Sequence, residues 1–111
     1  PMLCLVEPED REILKSMGSA ILNEDLQITS FEEKSQNPHP EALWATAIYL
    51  FAQETMNDLR QYVREGNDLD KPGSFIQWLH NKKPVYGHVS KGKFFDIGTQ
   101  ESLEKARSEF V

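Results

Sequence analysis

Leu43-Trp44-Ala45-Thr46-Ala47-Ile48-Tyr49-Leu50-Phe51 runs without a proline or a charge. A run of this kind reads as a strand buried in the middle of a sheet, the strongest strand in the chain. Working outward, Gln53 to Glu65 carries Met56, Leu59, Tyr62 and Val63 at helical spacing, and Gly66 supplies the stop. On the other side, Pro38 and Pro40 make 35–41 a loop. Before that loop, Ala20-Ile21-Leu22, a polar turn at Asn23-Glu24-Asp25 and Gln27 to Lys34 form a predicted β-hairpin within Ser19 to Lys34. Ile28 and Phe31 stand three apart, which leaves room for a bulge in the second arm. By spacing alone, Glu32-Glu33-Lys34 is a solvated strand end.

The outermost segments complete the pattern. Met2-Leu-Cys-Leu-Val6 is a continuous apolar run and reads as a strand buried on both faces. Pro8, Glu9 and Asp10 suit the start of a short helix that runs to about Met17, with Gly18 ending it. Toward the C-terminus, Asn67 to Ser74 reads as a loop and Phe75 to His80 as a second helix. Val85 to Val89 and Lys93 to Ile97 read as two strands around the turn Ser90-Lys91-Gly92. Strands and helices alternate, so the expected fold is α/β: a mixed, mostly parallel sheet with flanking helices.

Gly92-Lys93-Phe94-Phe95-Asp96-Ile97-Gly98-Thr99 carries the one arrangement with chemical promise. It places a lone carboxylate, Asp96, at the end of a predicted strand, and Gly98-Thr99 then opens a helix with Leu103, Ala106 and Phe110 on one side. Open α/β sheets bind ligands at such strand ends, and an aspartate oxygen is a hard ligand of the kind Mg²⁺ prefers. A helix-capping or turn aspartate fits the same pattern.

Composition narrows the classes. The chain has 111 residues, 39% of them hydrophobic, enough for one domain that buries roughly two thirds of its unfolded surface. A net charge of −6 argues against a nucleic-acid surface. Cys4 is the single cysteine, so there is no intramolecular disulfide or thiolate cluster, in keeping with a reducing cytoplasm. No apolar run approaches a membrane span and no signal peptide is visible. His80 and His88 have no partner at metal-ligand spacing, and the chain holds no Ser-His-Asp or Cys-His constellation for nucleophilic catalysis. It begins Pro1-Met2, as a processed, cleaved or cloned piece would.

Four stretches, in order along the chain, carry a resemblance. Gly18 stands before a hairpin that ends in Glu32-Glu33-Lys34, followed by Ala45-Thr46-Ala47-Ile48-Tyr49. Next come Pro72-Gly73-Ser74-Phe75-Ile76-Gln77-Trp78-Leu79 with Val85-Tyr86-Gly87, and last Gly92 to Ala106 with its Phe-Asp-Ile-Gly-Thr core. Together they resemble the sugar-1-phosphate nucleotidyltransferases, the NDP-sugar pyrophosphorylases. The resemblance implies the C-terminal, sugar-binding half of a Rossmann-like catalytic domain. The glycine-rich nucleotide loop of the other half, with its Arg, and the first metal-binding aspartate have no counterpart here.

Carried over residue by residue, the resemblance implies that Asp96 holds the catalytic Mg²⁺ and Lys34 contacts the sugar phosphate. Glu33 would accept hydrogen bonds from sugar hydroxyls, the Gly18 backbone would lie against the sugar, and Thr46 with Ala47 would line the same pocket. Two departures stand out: Ser35 replaces the proline of a Glu-Glu-Lys-Pro motif, and Ala47 replaces a usual glycine. The implied substrates are a hexose 1-phosphate and a nucleoside triphosphate, joined with release of pyrophosphate. Mg²⁺ and a lysine would neutralise the repulsion between the two anions. The isolated chain is expected to be inactive, and its exposed sheet edges to favour a homo-oligomer. Sugar and base are left open. A non-catalytic regulatory or scaffolding relative is the alternative, and an unrelated acidic interaction module a further one.

Overall fold

The computed structural model describes residues 1–110, which form a five-stranded sheet, three α-helices and a 3-10 helix. In chain order the elements are β1 (Met2–Val6), the 3-10 helix (Arg11–Lys15), β2 (Gly18–Leu22), β3 (Ile28–Glu33) and β4 (Leu43–Leu50). Then follow α1 (Thr55–Arg64), α2 (Pro72–Leu79), β5 (Tyr86–Ser90) and α3 (Gln100–Glu109). The sheet order is β3-β2-β4-β1-β5, so the uncharged run that reads as a central strand is indeed the middle one.

The sheet is mixed, as expected, but its parallel character is confined to one pair. β1 runs parallel to β5, whereas β1–β4, β2–β3 and β2–β4 are antiparallel. Parallel neighbours need a long crossover, and the short Asn23–Gln27 connection between β2 and β3 permits only a hairpin. At the hairpin tip, Gln27 forms an isolated bridge with Tyr86, so the sheet coils until its two ends meet. Leu22 there packs against Gly87, where a Cβ would come 2.8 Å from a Leu22 methyl.

Successive strand residues point to opposite faces, and the two faces have separate cores. Leu3, Leu5, Ala20, Phe31 and Ala45 meet Tyr62, Phe75, Ile76 and Leu79 from α1 and α2. On the opposite face Val6 and Trp44 are covered by Leu14 of the 3-10 helix, with Ala42 beside them and Phe94 packed against the cluster. Ile76 and Leu79 are fully buried, which stabilises α2 by roughly 1.5–3 kcal/mol for each side chain.

Three further expectations are corrected. The helix after Pro8 is a short 3-10 turn that starts after Asp10, whose carboxylate accepts from the Glu12 N–H at 3.0 Å. Pro-Gly-Ser is not loop: α2 begins at Pro72, where the missing N–H is no loss because first-turn amides have no intrahelical partner. Lys93 to Ile97 is not a strand. The chain leaves the sheet after β5, turns at Gly92 (φ 99°) and lays Phe94 edge-on against Trp44, ring centroids 5.0 Å apart. Two adjacent aromatics, Phe94 and Phe95, do not alternate as a half-buried strand requires; Phe95 turns instead to Phe110 of the α3 C-cap.

Candidate functional site

The register of the sheet puts Glu33 of β3 beside Gly18 of β2, Gly18 beside Ala45 of β4, and Ala45 beside Leu5 of β1. These four residues form one row on the face that carries α1 and α2. Gly18 is buried in that row, with no room for a side chain. A Cβ there would come 3.0 Å from Phe31 Cζ and 3.2 Å from Glu33 Oε1. Glu33 is half-buried, and its carboxylate reaches from the strand end to the first turn of α2. At Gly73 a Cβ would overlap Glu33 Oε1 and stand 2.6 Å from Glu33 Cδ. The α2 terminus has no side-chain cap from Lys71 and no acidic residue in its first turn. Glu33 therefore brings a negative charge, from a distant strand, to the positive end of a helix that lacks a local one.

Tyr49 belongs to the same corner. Burial raises its phenol above the ordinary value, and the Glu33 charge raises it further. Lys34 follows Glu33 with φ 51°, held by its N–H donating to the Met17 carbonyl at 3.0 Å, and its side chain is exposed.

Opposite, the β1–β4 register slips: Leu5 faces Ala45 but Leu3 faces Tyr49, so Thr46, Ala47 and Ile48 together oppose Cys4. This bulge turns Ala47 outward with φ 63°, a conformation that favours glycine. Thr46 is buried, and its hydroxyl donates to the Cys4 carbonyl at 2.9 Å.

Asp96 lies elsewhere. It is exposed on the irregular segment before α3 and lines a cavity of about 230 Å³ floored by Val6 and Trp44. Glu7, Glu9, Asp10, Lys93 and Lys105 also line it, whereas Gly18, Glu33, Lys34, Thr46 and Ala47 do not. The Val6–Trp44 pair is one step in register from Leu5–Ala45, and alternation sends it to the opposite face. The structure thus makes neighbours of Gly18 and Glu33 with Lys34 next in chain, brings Thr46 and Ala47 into an adjacent bulge, and leaves Asp96 apart. Asp96 is not the cap of α3, because Thr99 is: its hydroxyl accepts from the Ser102 N–H at 3.1 Å, and Ser102 returns the bond to the Thr99 N–H at 3.0 Å.

The ion pairs among the described residues are Arg11–Glu7, Lys15–Glu12, Lys83–Asp58 and Lys93–Glu109, so Glu33, Lys34 and Asp96 carry charges without an internal ionic partner. No group of three or more His, Cys, Asp or Glu among them could hold a metal ion. Asp96 fits Mg²⁺ as a single protein carboxylate, the mode in which that ion keeps waters and substrate phosphates as its other ligands.

Two residues of the Glu33 corner escape a reading of the sequence, Gly73 and Tyr49. A glycine inside a helix start, where most residues are more stable, is the signal for the first. Tyr49 sits in an apolar strand run and gives none.

The nucleotidyl transferase family model matches residues 3–110. A glucose-1-phosphate adenylyltransferase of Lachnospira eligens is 26% identical over 105 residues, 94% of this chain and 25% of that protein. One from Clostridium beijerinckii is 33% identical over 95 residues, 79% of this chain and 23% of that protein. The chain thus spans about a quarter of the length of these relatives. Among solved structures, a Bacillus anthracis protein assigned as a glucose-1-phosphate thymidylyltransferase, in complex with a sucrose, superposes with a TM-score of 0.72 at 20% identity. It covers 96% of this chain and 42% of its own, and shows that the mixed sheet and its helices are a nucleotidyltransferase-like fold. No described helix is long and apolar enough to cross a membrane. With a family model matched over almost its entire length, the chain belongs to the nucleotidyl transferase family.

Proposed function

We propose that the chain is the sugar-phosphate-binding, C-terminal part of an enzyme that joins a hexose 1-phosphate to a nucleoside triphosphate and releases pyrophosphate. The observation that carries this reading is the row in which the Glu33 carboxylate stands close against the backbone of Gly18 with Lys34 next to it. A hydroxylated ring needs a flat backbone floor and a carboxylate acceptor, and its phosphate needs a cation within reach. Glu33 accepts hydrogen bonds from the ring hydroxyls, Lys34 neutralises the phosphate, and the Thr46–Ala47 bulge forms the wall. Because Lys34 has no ion pair among the described residues, its charge is available to that phosphate.

In the same reading Asp96 is the residue of this chain that would hold Mg²⁺, which when bound offsets the charge on the reacting phosphates. The relatives that carry adenylyltransferase and thymidylyltransferase names support glucose 1-phosphate as the sugar substrate. No separate nucleotide loop accompanies the site, so the isolated chain gives no turnover. Calorimetric titration tests the proposal. Glucose 1-phosphate is expected to bind, and Lys34→Ala to weaken it roughly 10- to 100-fold, as loss of a charge-assisted hydrogen bond does. Binding that ignores Lys34 overturns the assignment. Pyrophosphate release by the chain with Mg²⁺ and nucleoside triphosphates overturns the claim of inactivity.

A further inference from the structure

The Glu33 carboxylate is seated on a residue outside the hairpin that carries it. Around Gly73 the space for a side chain is already taken, by Glu33 Oε1 and Cδ on one side and by Phe31 Cε1 at 2.8 Å from an ideal Cβ on the other. Phe31 is buried and part of the core, so it is fixed. Glu33 is the flexible partner, half-buried at the end of β3, and any atom added at Gly73 displaces it first.

We infer that Gly73 is a positioning residue for the Glu33 carboxylate: the bare first turn of α2 is the seat that holds the carboxylate over Gly18, and so sets discrimination for the sugar over bare phosphate. The inference rests on the sugar-phosphate reading of the same corner. Two features give the seat its strength. The α2 terminus supplies positive polarity and no acid of its own. Gly18 and Gly73 approach the same carboxylate oxygen from β2 and from α2, so the group is confined from two sides. Gly73 touches no ligand in this arrangement; it acts through Glu33.

The test uses the whole chain with two probes, glucose 1-phosphate and inorganic phosphate, by calorimetry. Wild type is expected to prefer glucose 1-phosphate. Gly73→Ala is expected to cut that preference about tenfold and leave phosphate binding unchanged, because Lys34 is not part of the seat. Adding Glu33→Asp to Gly73→Ala shortens the carboxylate and clears the overlap with it, leaving only the closer approach to Phe31, so part of the preference returns. A merely structural glycine would show no such return. A folded Gly73→Ala chain that keeps the wild-type preference overturns the inference and leaves the sugar-phosphate reading standing. Wild type that binds no glucose 1-phosphate overturns both. Should Gly73→Ala fail to fold, the double variant decides. Recovery of its circular dichroism spectrum supports a conflict with the carboxylate, and a double variant that stays unfolded overturns it, since the conflict then lies with Phe31.

Discussion

Glu33 and Asp96 are both carboxylates at the end of an extended stretch, yet one is held by packing from several elements and the other by very few contacts. Glu33 ends a strand paired to β2, leans over Gly18, and meets α2, which fully buried side chains fix to the sheet. The segment around Asp96 is pinned by the Phe94–Trp44 contact, by Phe95 against Phe110, and by Lys93–Glu109 at 3.7 Å. An exposed ion pair of that kind is worth about 0–1 kcal/mol. The contrast separates two things that a motif presents as one. A motif identifies which carboxylate matters, while burial and register determine whether its position is built in. The Glu33 corner is preorganised, and Asp96 rests on a loosely packed loop.

The strongest way to break the contrast is to remove the support under the Glu33 corner. Phe75 is 5% exposed and stacks among Phe51, Tyr62 and Trp78. Phe75→Ala is expected to lower the unfolding free energy in urea by about 3–5 kcal/mol. Phe94→Ala, on a half-buried ring over the other face, is expected to cost about 1 kcal/mol, half or less of a full phenylalanine burial. Equal losses for the two variants would mean that the Asp96 segment is as firmly packed as the corner, and the contrast would fall.

A finer cut goes through α3. Thr99 and Ser102 satisfy its first amides reciprocally, and the helix buries little beyond Ala106. Thr99→Ala removes an N-cap and is expected to cost about 1 kcal/mol. Because few contacts tie α3 to the core, hydrogen exchange should show the loss as local opening of residues 99–109, with amides of β4 and α2 unchanged. Faster exchange spread evenly over β4 and α2 would show that α3 unfolds only with the whole domain.

The sequence made this contrast only half visible. The uncharged run at Leu43–Phe51, the hairpin and the helix ending near Gly66 follow from period, charge and turn residues, and the structure keeps all three. The bulge expected in the hairpin arm is there, as a register shift between Ile21 and Leu22. Asp96, Glu33 and Lys34 stand out by motif. What could not be read is which of them the fold brings together, because that depends on long-range pairing. Gly18 meets Glu33 and Ala45 only through the register of three strands. The Gly73 seat joins a helix start to a strand end that lies far away in sequence. Lys93–Ile97 reads as a strand because its residues have β propensity, but propensity is silent about whether a neighbouring strand is there to pair with. The mostly parallel sheet failed for the same reason: alternation of elements suggests crossovers, while the short hairpin turn forbids one.

Ala47 offers the smallest and most discriminating test. Its φ of 63° lies in the left-handed region, which costs a residue with a Cβ roughly 1–2 kcal/mol. Ala47→Gly removes that cost but adds the extra unfolded-state freedom of glycine, roughly 0.5–1 kcal/mol in the other direction. The first effect is the larger, so the variant is expected to be more stable than wild type by about 0.5 kcal/mol in urea titration. The residue is exposed on the bulge, so no lost packing competes with this balance. A variant less stable than wild type would mean that the bulge relaxes in solution and is as loosely set as the Asp96 loop. A gain would place the bulge with the Glu33 corner, as a stretch whose shape is built into the folded chain.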